Sequence, residues 1–312
     1  MARRRKGSLD FGGKRPVIVA YGMGVDSTAM LVGMAEAGVR PDLILFADTG
    51  SEKYETYAYH DVIQAYLRSV GFPPVLRVAY PGPRRGKYAG QYDSLLTDCL
   101  VKHMLPSIAY PGPGRHGCSF KYKVEPQNKY VDNWEPALRA WEGGKKCVKL
   151  IGYDAGPADA RRGHKFKDDP KYDYVYPLRE WGWDREKCKA VIREAGVKVP
   201  LKSACFFCTA AKPHEITWLV RNHPELADII VKMEQQAMPN LTSTQGLWIR
   251  PTKCRPASMS EWIEYVRLMD AAGKSDELIA YSEEVSCSIE QAALGACGVH
   301  DAVGLCDECV AF

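Results

Sequence analysis

The segment VIVAYGMGVDSTAML, residues 17–31, limits the fold more than any other stretch of the chain. Val17, Ile18 and Val19 are consecutive and β-branched, which reads as the lead-in of a buried strand. After Ser27 the residues Met30, Leu31, Met34 and Ala35 recur at helical spacing. Only a short turn with two glycines, Asp26, Ser27 and Thr28 separates the two. Such a strand–turn–helix junction aims unpaired backbone N–H groups and the positive end of a helix dipole at one point, which suits a phosphate. A tight junction that merely needs small residues and an Asp or Ser cap reads the same way from this stretch alone.

The pattern then repeats. Strands are predicted at 16–21, 42–48 (DLILFAD), 75–79, 147–153 and 173–178, with helices at 27–37 and 54–70 and a further helix following VEPQNKYVDNWEPALRAWEGG. Short strands alternating with helices predict an α/β fold, a parallel sheet with helices on both faces. Ligands of such sheets bind at the carboxyl ends of the strands, where YGMGVDS and FADTG both fall. The loop-rich stretch 80–117, with a helix at 92–104, reads as an insertion over the sheet edge. Helices at 213–222, 224–238 and 259–272 then mark a change of character. The division expected is a basic arm at 1–15, a nucleotide-binding α/β domain at 16–200, a helical region at 201–283 and a cysteine-rich tail at 284–312.

A chain of 312 residues with 46% hydrophobic and 26% charged residues has an ordinary globular composition. No apolar run approaches the ~20 residues that cross a bilayer, so no membrane association is expected. The basic start MARRRKGSLDFGGKRP has no apolar stretch after it, and reads as no secretory signal and a cytoplasmic protein. The net charge of +4 is mild but uneven: Arg3 to Lys6, then Arg84, Arg85 and Lys87, then Arg161, Arg162, His164, Lys165 and Lys167. These groups suit phosphates or are simply solvated. Eleven cysteines without a signal for export favour metal binding or redox chemistry over disulfides.

Several segments together carry a resemblance. GMGVDST resembles the S-G-G-x-D-S pyrophosphatase loop of the PP-loop ATP pyrophosphatases, with Gly22 for the serine, Met23 for the first glycine, Gly24 keeping the second, and Val25 at a position that is often lysine. LILFADTGSEKYETYAY, GCSFKYKVEP, IGYDAGPADARR, YPLREWGWDREKC and VPLKSACFFCTAAKPHEI resemble, in order, segments of the phosphoadenosine phosphosulfate (PAPS) reductase-like branch over residues 16–216. The resemblance implies ATP at Gly22, Met23, Gly24, Val25, Asp26, Ser27 and Thr28, with backbone N–H groups and the Ser27 and Thr28 hydroxyls around a phosphate. Asp26 beside triphosphate makes sense as a Mg²⁺ ligand or as a cap on the loop. Asp48 faces Mg²⁺ or the nucleotide, or else caps the helix that begins near Tyr54. Gly152 lets backbone approach the nucleotide, and Arg161 or Arg162 neutralises the leaving pyrophosphate.

Cys205 and Cys208 form a C-x-x-C that can clasp one metal atom or one cluster. Cys118 and Cys188 stand where the resembled family also has cysteine, and four such thiols complete a [4Fe-4S] cluster or a zinc site. The resemblance favours the cluster; Cys188 as a small buried residue on an amphipathic helix is the alternative. Cys99, Cys147 and Cys254 read as core or surface thiols. Trp181 and Trp183 read as packing. Arg115, Lys121, Lys123 and Arg185 bracket the cysteines, to draw in an acidic substrate or as a solvated rim.

The function implied is ATP-dependent adenylation of an acceptor followed by sulfur transfer. The acceptor would be nucleic acid, DNA ahead of tRNA given the DNA-phosphorothioation and tRNA-thiolation relatives, and the sulfur donor a protein such as a cysteine desulfurase. Two other readings stay open. ACGVH at 296–300 resembles the nucleophile-bearing end of sulfonucleotide reductases, which would make Cys297, beside His300, the attacking thiolate. Alternatively the chain is a non-catalytic binding module with a structural metal. The tail cysteines Cys287, Cys297, Cys306 and Cys309 can otherwise close a small zinc knot or be ordinary cysteines.

Overall fold

The computed structural model describes residues 15–106, 117–160, 169–242, 244–252 and 255–275. The elements run β1 (Val17–Tyr21), α1 (Val25–Glu36), β2 (Leu43–Asp48), α2 (Tyr54–Ser69), β3 (Val75–Ala79), α3 (Leu95–Lys102) and the single turn α4 (Gly117–Ser119). A π-helical turn, Phe120–Val124, leads into α5 (Glu125–Val131), α6 (Glu135–Glu142), β4 (Cys147–Ile151), the short α7 (Pro157–Ala160), β5 (Tyr172–Val175), α8 (Pro177–Trp181) and α9 (Arg185–Glu194). Last come α10 (Pro213–Asn222), α11 (Pro224–Ala237) and α12 (Met259–Ala271). Among the described residues no helix is long and apolar enough to cross a membrane.

The described residues form two compact units, one of those up to Tyr80 with Lys121–Ala204, the other of those in Pro81–Phe120 and from Cys205 on. The insertion at 81–120 groups with the C-terminal half rather than with the nucleotide-binding domain whose sequence it interrupts.

The first unit is the α/β fold the sequence predicts: five parallel strands in the order β3-β2-β1-β4-β5. β1 shows why its apolar residues are uninterrupted. Val17, Val19 and Tyr21 join the core under α1, α2 and α9, whereas Ile18 joins the opposite core with Val131 and Ala137 of α5 and α6. A strand covered on both faces needs apolar side chains at every position. Each such buried side chain contributes roughly 1.5–3 kcal/mol. Trp181 and Trp183 pack against this core as expected. A Cβ on Gly33 would fall 2.5 Å from Trp181 and 2.7 Å from Trp183, so α1 carries glycine where the indoles press on it. The order places a topological switch point between β1 and β4, where chain leaving β1 goes one way round the sheet and chain leaving β4 the other.

The second unit is built around α10, α11 and α12, and its buried Glu234 is a hub. One carboxylate oxygen accepts from the backbone N–H of Leu247 (2.7 Å) and Met259 (3.0 Å). The other accepts from Ser258 Oγ (2.6 Å), Ser260 N (2.8 Å) and Ser260 Oγ (2.5 Å), at the start of α12. Negative charge there also suits the helix dipole.

Candidate functional site

The residues after β1 form the expected loop, with distinct duties for its members. Gly24 is the N-cap of α1, and the first helical bond is Thr28 N–H to the Gly24 carbonyl at 3.1 Å. The N–H groups of the turn between them have no acceptor inside the helix. Ser27 Oγ accepts from Gly22 N–H at 3.2 Å and donates to the Gly24 carbonyl at 3.2 Å, which holds the loop closed. Met23, where the resembled motif has glycine, adopts φ 55° and buries its side chain in the core. A left-handed non-glycine residue costs about 1–3 kcal/mol, and that burial offsets it.

Three expectations change here. Thr28 is fully buried and its hydroxyl pairs with Tyr21 Oη at 3.0 Å, so it supports the loop from beneath instead of facing a phosphate. Gly152 gives close approach, but to the loop itself: an added Cβ would lie 2.8 Å from Ser27 Cα and 2.9 Å from Ser27 N. Asp48, 2% exposed, accepts from Gly50 N–H (2.8 Å) and Tyr57 Oη (2.9 Å) and forms an ion pair with Arg77. It organises the turn after β2, and the N-cap of α2 is Lys53. Arg77 also lies over the Tyr57 ring, 5.2 Å from its centroid, and burial and the nearby Asp48 charge push the Tyr57 phenol far up.

What gathers round Asp26 is a pair of carboxylates that sequence reasoning left out. Asp26, Asp154 and Asp159 offer oxygens all within 4.8 Å of one another, at the switch point where β1 and β4 end side by side. Asp154 is held by Gly156 N–H at 2.8 Å, and Asp159 accepts from Asp154 N–H at 3.3 Å. Arg179 donates to the Asp159 carbonyl and lies over the rings of Tyr153 and Tyr176. Asp26 is paired with Arg185 of α9 at 2.8 Å. Oxygen-only ligands are the donor set of Mg²⁺. Both aspartates stand in IGYDAGPADARR, where acidic residues in a Gly/Pro loop after a strand were the available signal. Arg161 and Arg162 lie outside the described residues, as do Arg115, Cys254 and the tail cysteines Cys287, Cys297, Cys306 and Cys309.

A second polar group borders the loop. Glu52, 3% exposed, accepts from Ser203 Oγ (3.3 Å) and Thr49 Oγ1 (3.4 Å), with Lys123 Nζ at 3.8 Å. Burial raises its carboxyl above the usual range; Lys123 and Ser203 oppose that rise. A Cβ on Gly24 would stand 3.9 Å from Ser203 Cβ, which places this group against the phosphate loop. Lys121 lies over Tyr80, 4.7 Å from the ring centroid.

The thiols divide between the units. Cys188 is fully buried in the first unit's core on α9, and burial, with Asp26 and Asp154 nearby, pushes it up to about 12. Cys118, Cys205 and Cys208 belong to the second unit. The Cys205–Cys208 turn is closed by Cys208 N–H to the Cys205 carbonyl at 3.0 Å, and Phe206 and Phe207 between them are buried. Trp248 Nε1 donates to the Ala211 carbonyl at 2.7 Å and pins the next turn. Beside Cys208 the buried Thr209 hydroxyl has no hydrogen-bond partner among the described residues. Soft donors next to an orphaned hydroxyl fit a thiolate-bound metal group, whose sulfurs accept hydrogen bonds.

No protein-family model matches the chain, and no curated protein matches it in sequence. Among solved structures, the U34-tRNA thiolase NcsA from Methanococcus maripaludis with its [4Fe-4S] cluster is similar at 15% identity and TM-score 0.41, over 80% of this chain and 82% of that one. A likeness of that depth assigns this chain no reaction.

Proposed function

We propose that the first unit binds MgATP and transfers its adenylyl group to an oxygen of an acceptor, releasing pyrophosphate, and that sulfur then displaces AMP. The observation that carries this is the meeting of a closed phosphate-type loop with three carboxylates at the switch point of a parallel sheet. Each half requires the other. Carboxylates beside a polyphosphate repel it, and a divalent cation between them turns repulsion into attraction. In this reading the first-turn N–H groups after Gly24 hold a phosphate, and Asp26, Asp154 and Asp159 hold Mg²⁺. Arg185 pairs with Asp26 and holds it in place.

The acceptor oxygen attacks the α-phosphorus as the bond from that phosphorus to the α,β-bridging oxygen breaks and pyrophosphate leaves; Mg²⁺ held by Asp26, Asp154 and Asp159 would neutralise the charge that develops on the pyrophosphate. Adenylation turns a poor oxygen leaving group into AMP. In the second step a sulfur nucleophile forms the new bond to the acceptor and AMP departs. Cys118, Cys205 and Cys208 would hold a metal group, a [4Fe-4S] cluster ahead of zinc, which supplies a soft site for sulfur. Nucleic acid, DNA before tRNA, is the proposed acceptor, and exposed Arg84, Arg85 and Lys87 suit its phosphates. A cytoplasmic location and a desulfurase-type donor complete the proposal.

The test is exchange of labelled pyrophosphate into ATP with Mg²⁺ and single- or double-stranded DNA or tRNA. Label entering ATP with one of these acceptors supports adenylation. Mg²⁺-dependent ATP binding without exchange on any acceptor favours the binding module, and cleavage of adenylyl sulfate without ATP favours the reductase.

A further inference from the structure

We propose that Tyr153, Tyr176 and Arg179 form a stacking platform for a nucleobase beside the carboxylate trio, the base being that of ATP or one of the acceptor nucleic acid. The inference rests on the reading of this sheet edge as a nucleotide site and assigns residues that reading leaves without a part.

The two tyrosines meet at the carboxyl edge of the sheet. β4 and β5 run parallel with Leu150 opposite Val175, so Tyr153, just past the end of β4, and Tyr176, just past the end of β5, leave their strands at the same edge. Their rings lie parallel, with 8° between the planes and 5.6 Å between centroids. Arg179, in α8, lies over both: its guanidinium carbon is 4.8 Å from the Tyr176 centroid and 5.4 Å from that of Tyr153. Its hydrogen bond to the Asp159 carbonyl holds it there. Rings that only fill a core meet at other angles: Trp181 and Trp183 are tilted by 48°, and Trp248 and Trp262 by 72°. Parallel phenols with a guanidinium beside them offer flat surfaces of the kind on which a base stacks. Tyr153, Tyr176 and Arg179 are all partly exposed, so solvent and ligands reach that surface. The neighbours of Tyr153 tie it to the site. Gly152 backs onto Ser27 of the loop, and Asp154 belongs to the carboxylate trio. A phosphate on the loop and Mg²⁺ on the carboxylates then have a stacking surface next to them, and the charge of Arg179 suits the phosphate chain that carries the base.

The test is binding of four ligands to the full chain in Mg²⁺: ATP, inorganic tripolyphosphate, a single-stranded oligodeoxynucleotide and the same oligomer made abasic. Tripolyphosphate and the abasic oligomer carry the charge without a base. Variants are Tyr153→Leu, Tyr176→Leu and Tyr153→Phe, with circular dichroism to confirm folding. The proposal expects both leucine variants to lose about tenfold in affinity for ATP or for the oligonucleotide, with the base-free ligands bound as by wild type. Tyr153→Phe, which keeps the ring, recovers the affinity that Tyr153→Leu loses. Loss on ATP assigns the platform to adenine, and loss on the oligonucleotide alone assigns it to the acceptor's base. Wild-type affinities in the leucine variants, or equal losses on the base-free ligands, overturn the platform and leave the nucleotide site standing. Wild-type chain that binds none of the four ligands removes both readings. Should the leucine variants not fold, photocrosslinking of wild type with 8-azido-ATP and with a 4-thiothymidine oligonucleotide decides. Cross-links mapped to Tyr153 or Tyr176 support the proposal, and cross-links confined to other residues overturn it.

Discussion

Replacing Gly152 by alanine puts one methyl group where the end of β4 meets the loop after β1. The added Cβ would lie 2.8 Å from Ser27 Cα, 2.9 Å from Ser27 N and 3.1 Å from the Asp26 carbonyl carbon. Carbon atoms pack at about 3.5–4.0 Å, so the two segments must part by about 0.7 Å. No side chain can rotate away, because every atom met is backbone. The loop cannot yield freely either: Thr28 is tied to Tyr21, and Met23 is buried beneath. Overpacking of this kind costs about 1–3 kcal/mol. The same shift displaces the N–H groups assigned to phosphate and moves Asp26 relative to Asp154, and a misplacement near 1 Å costs about 100-fold in a catalytic step. Gly152→Ala is therefore expected to unfold at lower urea and to lose 10- to 100-fold in MgATP affinity and pyrophosphate exchange. Gly143→Ala is the control: its Cβ would meet nothing closer than 3.4 Å, and stability should change by about 0.5 kcal/mol or less. Titration calorimetry and urea unfolding read both quantities. A Gly152→Ala protein with wild-type stability and nucleotide affinity refutes the close-approach argument.

Asp154→Asn keeps the acceptor for Gly156 N–H but removes a charge from the trio, and should raise the Mg²⁺ concentration needed for ATP binding at least tenfold; an unchanged Mg²⁺ titration contradicts that assignment. Glu234→Ala strands three backbone N–H groups and two hydroxyls in a buried place and should destabilise the second unit by about 3–5 kcal/mol by urea unfolding; a loss under about 1 kcal/mol contradicts the hub. Lys149 is buried on β4, donates to Asn128 Oδ1 at 3.0 Å, and burial lowers it to about 8 against the opposing pull of Asp169 and Asp132. Between that value and about 10.4 the unfolded chain holds a proton the folded one does not, so stability rises with pH, by about 3 kcal/mol in total. Lys149→Met should be more stable than wild type at pH 7, with the gap closing by pH 9.5; a gap constant with pH argues against a depressed lysine.

The strands were legible because β1 and β2 are covered on both faces and so read as apolar runs, and β4 does too apart from its buried Lys149. Helices α10, α11 and α12 end within a residue of the bounds expected from sequence; in the structure they start at Pro213, at Pro224 and after the cap Ser258. Partnerships across the chain were not. Asp154 acquires its meaning from Asp26, which lies more than a hundred residues earlier and comes alongside only because β4 inserts next to β1. Glu52 is likewise defined by Lys123 and Ser203. Thr28 illustrates the opposite error: a hydroxyl inside a phosphate-type motif reads as a ligand until Tyr21 is found beneath it. Grouping 81–120 with the C-terminal half also depends on tertiary packing, which local composition does not encode.

The most direct test follows the fate of ATP itself. Purified chain, MgATP, a sulfide source and nucleic acid are incubated together, and the nucleotide products are separated by chromatography. The account predicts AMP and pyrophosphate in equal amounts, dependent on acceptor and abolished in Asp26→Asn. ADP with inorganic phosphate, or AMP formation that survives Asp26→Asn, contradicts it.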